Sequence, residues 1–269
     1  MLIIAERINA TRKRIARAIA ERDDAYLARE ARRQAEAGAD FIDVNAGSDP
    51  AKEAENLKWA VGVVQQSVDV PVCIDSASAE GFLAALEIVN RDNIMLNSVN
   101  GEERRMKEIL PIAACCGARL VGLVMDERGL PAGLDDRLEI AGKMVKAAEQ
   151  AGIAADKLYL DPCVQPLSTN PEQTEAVVES VRRIMAEFPG VHTTCGASNI
   201  SFGLPYRSVL NRAYLAFLIR AGLDSVILDP TERDVMATVY AAEALCGKDE
   251  YCMNYISAER AGKLRPKAE

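Results

Sequence analysis

Residues 191–207 read VHTTCGASNISFGLPYR, and this stretch indicates the architecture of the whole chain. It begins with a β-branched run typical of a buried strand, continues as a polar loop, and leads into a helix that Pro205 is expected to open. The apolar positions expected on the buried face of that helix are Leu210, Tyr214, Phe217 and Ala221. An unpaired amide or hydroxyl in a core costs roughly 1–3 kcal/mol. We therefore expect Ser198 and Asn199 to face a ligand, and the simpler alternative is that Asn199 only caps a helix or turn.

The same order of strand, polar loop and helix repeats along the 269 residues. Eight runs have the pattern of strands, at 2–6, 41–45, 72–75, 93–97, 120–125, 158–161, 192–196 and 225–229. Eight strand–helix units of this size predict an α/β fold, a (β/α)8 TIM barrel, as one domain over 1–262 with a polar C-terminal tail at 263–269. A doubly wound open sheet is the alternative, but its glycine fingerprint is missing after the first strand.

The composition narrows the class of partner. The net charge is −8 and no basic cluster is free of interspersed acids, which argues against nucleic acid. No apolar run is as long as a membrane span, and the first residues lack a signal-peptide pattern, so we expect a cytoplasmic protein. The seven cysteines and single histidine give no zinc ligand set. A nucleophilic Cys195 is a weaker alternative, because His192 would point to the other face of its strand.

Carboxylates and amides follow the predicted strands. Because the carboxyl ends of parallel barrel strands form the catalytic face, these groups are expected to meet at one mouth. They are Glu6, Asn9, Asp43, Asn45, Asp75, Asn97, Ser98, Asn100, Asp126, Asp161, Ser198, Asn199 and Asp229. A carboxylate can accept two parallel N–H bonds, so the set suits a neutral heterocycle such as a pterin. Helix capping explains any single aspartate as well, and a magnesium site is disfavoured because no Asp-x-Asp spacing occurs, so no metal is expected.

Six motifs carry a resemblance to a known family. They are ERIN at 6–9, DVN at 43–45, CIDS at 73–76, NS at 97–98, YLDP at 159–162 and GASNIS at 196–201. In order and spacing they resemble the methyltetrahydrofolate:corrinoid protein methyltransferases of the pterin-binding barrel family. The resemblance covers essentially the whole chain. It implies a homodimeric (β/α)8 TIM barrel of pterin-binding type that moves a methyl group between N5 of tetrahydrofolate and the cobalt of a corrinoid (cobalamin) held by a separate protein.

The resemblance also implies roles for individual residues. Residues expected to bind the folate substrate are Asp43, Asp75, Asn97, Asp161, Gly196, Ser198, Asn199 and Arg207. Of these, Asp75, Asn97 and Asp161 would hold the pterin ring. Asn199 and Asp75 are the predicted catalytic residues, with Asn199 hydrogen-bonding at N5, which must gain positive character before a tertiary amine can leave. The proton would come from solvent or from a networked carboxylate.

Two other functions stay open at the level of sequence. A dihydropteroate synthase would need a lysine near the end of strand seven, where this chain has CGASN at 195–199. A non-catalytic folate-binding subunit is the alternative from another class, and the intact polar mouth argues against it. The loop at 202–206 is less polar than in the acetogen-type enzymes that the chain resembles. On that resemblance we expect transfer from methylcobalamin to tetrahydrofolate, as in demethylating pathways.

Overall fold

The computed structural model describes residues 1–47, 49–90 and 92–264. Its eight parallel strands are β1 Leu2–Asn9, β2 Phe41–Asn45, β3 Val72–Asp75, β4 Met95–Asn100, β5 Arg119–Leu123, β6 Leu158–Asp161, β7 His192–Thr193 and β8 Ser225–Leu228. They form one sheet in the order β7-β6-β5-β4-β3-β2-β1-β8. The two outermost strands meet where the Ile227 N–H donates to the Cys195 carbonyl oxygen at 3.0 Å. The sheet therefore closes, and the predicted (β/α)8 TIM barrel is confirmed.

The helices surround this barrel. They are α1 Lys13–Glu21, α2 Asp24–Glu36, α3 Glu53–Ser67, α4 Ala79–Leu86, α5 Glu103–Cys116, α6 Leu134–Gln150, α7 Gln173–Glu187, α8 Arg207–Ala221, α9 Arg233–Leu245 and α10 Met253–Arg260. Local signals set several of their ends. The Ser78 hydroxyl accepts the Gly81 N–H at 3.0 Å and caps α4, and Gly117 ends α5 in the left-handed conformation. No helix within the described ranges is long and apolar enough to cross a membrane.

A layer of apolar side chains fills the barrel interior. It consists of Ile4, Phe41, Cys73, Met95, Val121 and Tyr159, one from each of six strands. Side chains alternate along a strand, so the residue two positions further on also points inward, nearer to the carboxyl end. Those positions hold Glu6, Asp43, Asp75, Asn97, Leu123 and Asp161. The polar groups of the mouth thus form a second layer directly above an apolar floor.

Several strand boundaries differ from the sequence prediction. β1 runs on to Asn9, β4 begins at Met95 and continues to Asn100, β5 is Arg119–Leu123, and β8 ends at Leu228. The largest difference is β7, predicted at 192–196 and found only at His192–Thr193. Its register with β6 ends at the pair Leu160–Thr193, and further along, the chain meets β8 at an isolated bridge between Gly196 and Ile227.

The helix after β7 also differs from its prediction. It begins at Arg207, two residues after Pro205, because Tyr206 adopts a left-handed conformation at φ 49°. Tyr214 and Ala221 lie on its buried face as expected, but Phe217 is 59% exposed. Its predicted place on the buried face was therefore wrong. The predicted polar tail lies mostly outside the described residues, which stop at Leu264.

Candidate active site

Asp43, Asp75 and Asn97 form a hydrogen-bonded cluster across three neighbouring strands. The Asn97 amide donates to the Asp43 carboxylate, with Nδ2 and Oδ1 3.1 Å apart. Asp75 is hydrogen-bonded both to Asp43 and to the side chain of Asn45. Strand register brings these groups together, since Asn45 pairs with Asp75 and Asp75 pairs with Asn97. The structure therefore places three of the predicted substrate-binding residues in one contiguous wall.

Burial changes the protonation of this wall. Loss of solvent is the largest cause that raises the pKa of Asp43, to about 6, and the hydrogen bond from Asn97 opposes the rise. Burial and the nearby Asp43 charge raise the pKa of Asp75 well above its usual value. Two such carboxyls in contact titrate as a pair. The pair therefore keeps a proton to a higher pH than two exposed aspartates would, and while protonated it can donate a hydrogen bond as well as accept one.

Asp161 faces this cluster from the end of β6. Its carboxylate accepts the Cys163 N–H at 2.8 Å and the Gly196 N–H, and burial still raises its pKa to about 6. The turn beyond it is held by Arg137, whose fully buried guanidinium donates to the Pro162 carbonyl oxygen at 2.8 Å. Asp161 is therefore fixed in place by backbone groups on both sides.

Sequence reasoning missed Arg137. The available signal was its spacing, because it stands three and four residues before Ile140 and Ala141 on the buried face of α6. Glu53 was also missed, although it accepts the Ser76 hydroxyl at 2.6 Å and so fixes the turn after β3. Neither residue lies at the end of a predicted strand, and the polar pattern in the sequence predicted site residues only at those ends.

The wall after β7 is a short 3-10 turn, Ala197–Ser201. Its Asn199 N–H donates to the Gly196 carbonyl oxygen at 3.1 Å, and the Asn199 side chain is exposed at the mouth. The carboxamide lies over the Gly196 α-carbon, where an added Cβ would be only 3.2 Å from Nδ2. Glycine at 196 thus leaves the space that the Asn199 side chain occupies.

Arg207 makes its contacts with the same loop. Its guanidinium donates to the Ser198 carbonyl oxygen at 2.9 Å and to the Ser201 hydroxyl at 3.0 Å. The guanidinium also lies over the Phe202 ring, 5.8 Å from its centroid. Arg207 therefore stabilises the turn that carries Ser198 and Asn199, and its predicted contact with a ligand stays a prediction.

The side of the mouth formed by β1 and β8 is rich in charges. The Arg7 guanidinium donates to Glu30 and to Asp229, each at 2.7 Å, and so joins α2 to the end of β8. Glu6 is 3.7 Å from the Arg12 guanidinium, too far for a hydrogen bond. Burial raises the pKa of Glu6 to about 7, and Arg12 is the main opposing influence. The sequence motif included Glu6, but no role was assigned to it.

Comparisons with known proteins agree with this geometry. The family described as Pterin binding enzyme matches residues 5–229. The chain is 37% identical over 271 residues to Methylcorrinoid:tetrahydrofolate methyltransferase from Eubacterium limosum, with 99% of this chain and 98% of that protein covered. It is 27% identical to Methionine synthase from Mycobacterium leprae (strain TN) over 85% of this chain, which corresponds to 20% of that protein.

A solved structure shows the same fold at lower sequence identity. Dihydropteroate synthase from Stenotrophomonas maltophilia superposes with a TM-score of 0.66 at 21% identity, covering 93% of each chain. Likeness at this identity shows the barrel alone and not the reaction. The family match over residues 5–229 and the full-length 37% identity carry the assignment. The chain belongs to the pterin-binding enzyme family.

Proposed function

We propose that the protein is a methyltransferase that moves a methyl group between the cobalt of a corrinoid and N5 of tetrahydrofolate. The observation that carries this proposal is the second inward layer of the barrel, where the Asp43 and Asp161 carboxyls are buried and the Asn199 carboxamide is exposed at the mouth. The relative from Eubacterium limosum is named for transfer from a methylcorrinoid to tetrahydrofolate, and it aligns over 99% of this chain. We propose the same direction here.

The buried wall suits recognition of the pterin ring. A pterin presents N–H donors beside ring nitrogen and carbonyl acceptors, and it carries no net charge. Asp161 offers an accepting carboxylate, and Asn97 offers both a donor and an acceptor. The Asp43–Asp75 pair offers several lone pairs and, while it is protonated, a donor. Gly196 and Ser198 would form the facing wall. We propose that these groups hold the ring in one orientation, with N5 toward Asn199.

Asn199 is proposed to act on N5. When the methyl group moves to N5, the nitrogen becomes a cation until its proton leaves, and in the opposite direction it must be protonated first. A carboxamide oxygen directed at N5 stabilises that positive charge and that N–H. Its position on a loop whose own hydrogen bonds run to Gly196 leaves the side chain free to turn toward the ligand.

The partners follow from the same proposal. The corrinoid is cobalamin or a close relative carried by a separate protein, which would dock over the mouth so that cobalt reaches N5. We also propose a homodimer and a cytoplasmic location, as the resemblance and the sequence pattern predict. The exposed Val209 and Phe217 on α8 offer apolar surface for a second copy.

Anaerobic spectroscopy tests the function. Protein, free methylcobalamin and tetrahydrofolate are mixed, and the methylcobalamin spectrum should give way to that of cob(I)alamin only when all three are present. If no change occurs, calorimetry with tetrahydrofolate separates two cases. Binding without transfer would mean that free methylcobalamin does not suffice and that a corrinoid protein is obligatory. Adding a methylated holo-corrinoid protein should then produce transfer. Absence of binding would overturn the proposal.

A further inference from the structure

We infer that the carboxyl group of Glu6 is the proton acceptor for N5, reached through water in a small cavity beneath the Ser198–Asn199 turn. This inference rests on the proposed methyl transfer and deepens it, because no residue has yet been assigned to take the proton. Glu6 points into the barrel from β1, which lies between β8 and β2, the strand of Asp43. The cavity that it lines also touches Ser198, which brings it next to the loop after β7.

A cavity connects Glu6 with that loop. Its lining includes Glu6 from β1, Ser198 from the turn after β7, and Asn211 from α8. Its volume is about 40 Å³, which is space for roughly two or three water molecules. The Asn211 Oδ1 atom is buried and has no hydrogen-bond partner among the described residues. A buried polar atom of this kind beside a cavity is normally satisfied by water.

The other buried carboxyls of the mouth are already engaged. Asp43 accepts from Asn97 and contacts Asp75, while Asp161 accepts two backbone N–H groups. Each has a fixed hydrogen-bonding role that faces the proposed ring. Among the described side chains, Glu6 has only the long ion pair with Arg12, so its oxygens are free to receive a proton.

Burial and the charges around Glu6 bring the pKa of its carboxyl close to the working pH. Burial raises its pKa to about 7, Arg12 lowers it, and the carboxyls of Asp229, Asp43 and Glu232 raise it, in that order of size after burial. A base works best when its pKa lies near the working pH. Glu6 can therefore accept a proton in one transfer and release it to solvent before the next.

The carbon–cobalt bond of the methylated corrinoid breaks with its electron pair left on cobalt, which passes from Co(III) to Co(I). The N5 lone pair forms the new bond to the methyl carbon. The N5 proton leaves through cavity water beside Ser198 to the Glu6 carboxylate, and it then passes to solvent past Arg12. In the opposite direction the same carboxyl returns the proton to N5.

Stopped-flow transfer from methylcobalamin to protein-bound tetrahydrofolate tests the inference between pH 5.5 and 8.5. The wild-type rate should rise with pH around the Glu6 pKa of about 7, because the acceptor must be ionised. Glu6→Gln should lose that rise and transfer about 100-fold more slowly at pH 8. Its affinity for tetrahydrofolate by calorimetry should stay within about twofold, since the residue is not part of the hydrogen-bonded cluster of Asp43, Asp75 and Asn97.

Three further variants make the result specific. Glu6→Asp keeps a carboxyl group and should restore a pH-dependent rise, which covers the case that Glu6→Gln does not fold. Glu21→Gln changes an exposed carboxyl on α1 and should leave the profile unchanged. Glu232→Gln changes the other glutamate that lines the cavity and should keep the rise with a lowered midpoint, because one negative neighbour is removed.

The possible failures are distinguishable. A wild-type protein that transfers no methyl group to tetrahydrofolate from any corrinoid overturns the proposed function, and the inference with it. An active wild type whose rate and pH profile are unchanged by Glu6→Gln overturns the inference alone. The inference is also wrong if the rise with pH disappears in Glu232→Gln and persists in Glu6→Gln.

Discussion

The two walls of the mouth are built in different ways. On one side, Asp43, Asp75 and Asn97 stand on strands of four to six residues, and each side chain is held by another from a neighbouring strand. On the other side, β7 has only two residues, and the following turn is held mainly by hydrogen bonds within its own loop. A ring needs one fixed orientation, whereas a group that follows N5 through a reaction needs room to adjust. Under the proposed function, we therefore expect the first to serve as a recognition wall and the second as a chemical wall.

Asn199→Ala tests the chemical wall and has the largest expected effect. Removing one hydrogen bond that forms mainly in the transition state lowers turnover by about 100- to 1000-fold. The same change should weaken tetrahydrofolate binding by about tenfold or less, the range for one neutral hydrogen bond. Transfer kinetics and calorimetry measure the two effects, with Asn254→Ala on exposed α10 as the matched control. Equal losses in turnover and affinity would remove the distinction between the walls.

Asp75→Asn tests the recognition wall. The substitution keeps the shape of the side chain but removes its charge and its pairing with Asp43, so tetrahydrofolate affinity should fall by about 10- to 100-fold. The rate of transfer at saturating folate should fall less than the affinity does. Asp69→Asn, an exposed carboxyl after α3, is the control for loss of charge alone. A variant that binds normally but transfers slowly would move Asp75 into the chemical wall.

The stability of the ligand-free protein should depend on pH because of the buried carboxyls. The pKa values of Asp43 and Asp161 are raised from 3.8 to about 6, so the folded state holds more protons than the unfolded state between those values. Stability is therefore full below about pH 4 for these groups and is lost as pH rises through about 6. We expect a loss of about 4 kcal/mol between pH 4.5 and pH 8, about 2 kcal/mol from each carboxyl. Denaturant unfolding measures it.

The outcome that would contradict this expectation is stability that rises with pH over the same interval. Asp75→Asn provides the matched comparison, because it removes one charge from the coupled pair and should make the dependence on pH shallower. Saturating tetrahydrofolate should do the same if the ring donates hydrogen bonds to the ionised carboxylates. If neither Asp75→Asn nor saturating tetrahydrofolate changes the pH dependence of stability, the titrating groups lie elsewhere in the chain.

The sequence predicted the recognition wall better than the chemical wall. β2, β3 and β6 have the predicted bounds, since each is a short, mainly apolar run that ends in an aspartate or asparagine. β7 does not, because its end depends on how far it pairs with β6, where the last pair, Leu160 and Thr193, joins residues 33 positions apart along the chain. Local pattern carries no information on such a contact.

Long-range contacts also explain the other differences. The charge pattern of the sequence does not predict the role of Arg137, because its main partners are backbone carbonyl oxygens 25 and 26 residues further on. The exposure of Phe217 depends on which side of α8 meets the barrel, and the apolar residues of that helix occupy more than one face. Glu6 was visible as part of a motif, but its cavity exists only where β1, the β7 turn and α8 meet.

Gly196→Ala is the smallest change that separates the two walls. The new Cβ would lie 3.2 Å from Asn199 Nδ2, so the carboxamide must move while the main chain, with an ordinary φ of −77°, can stay. Turnover should fall by about tenfold, because a displacement of a few tenths of an ångström weakens the N5 contact without removing it. Affinity for tetrahydrofolate and the unfolding midpoint should change little. A Gly196→Ala protein with full turnover would mean that Asn199 reaches N5 from another rotamer, and the loop would then be more adaptable than its hydrogen bonds indicate.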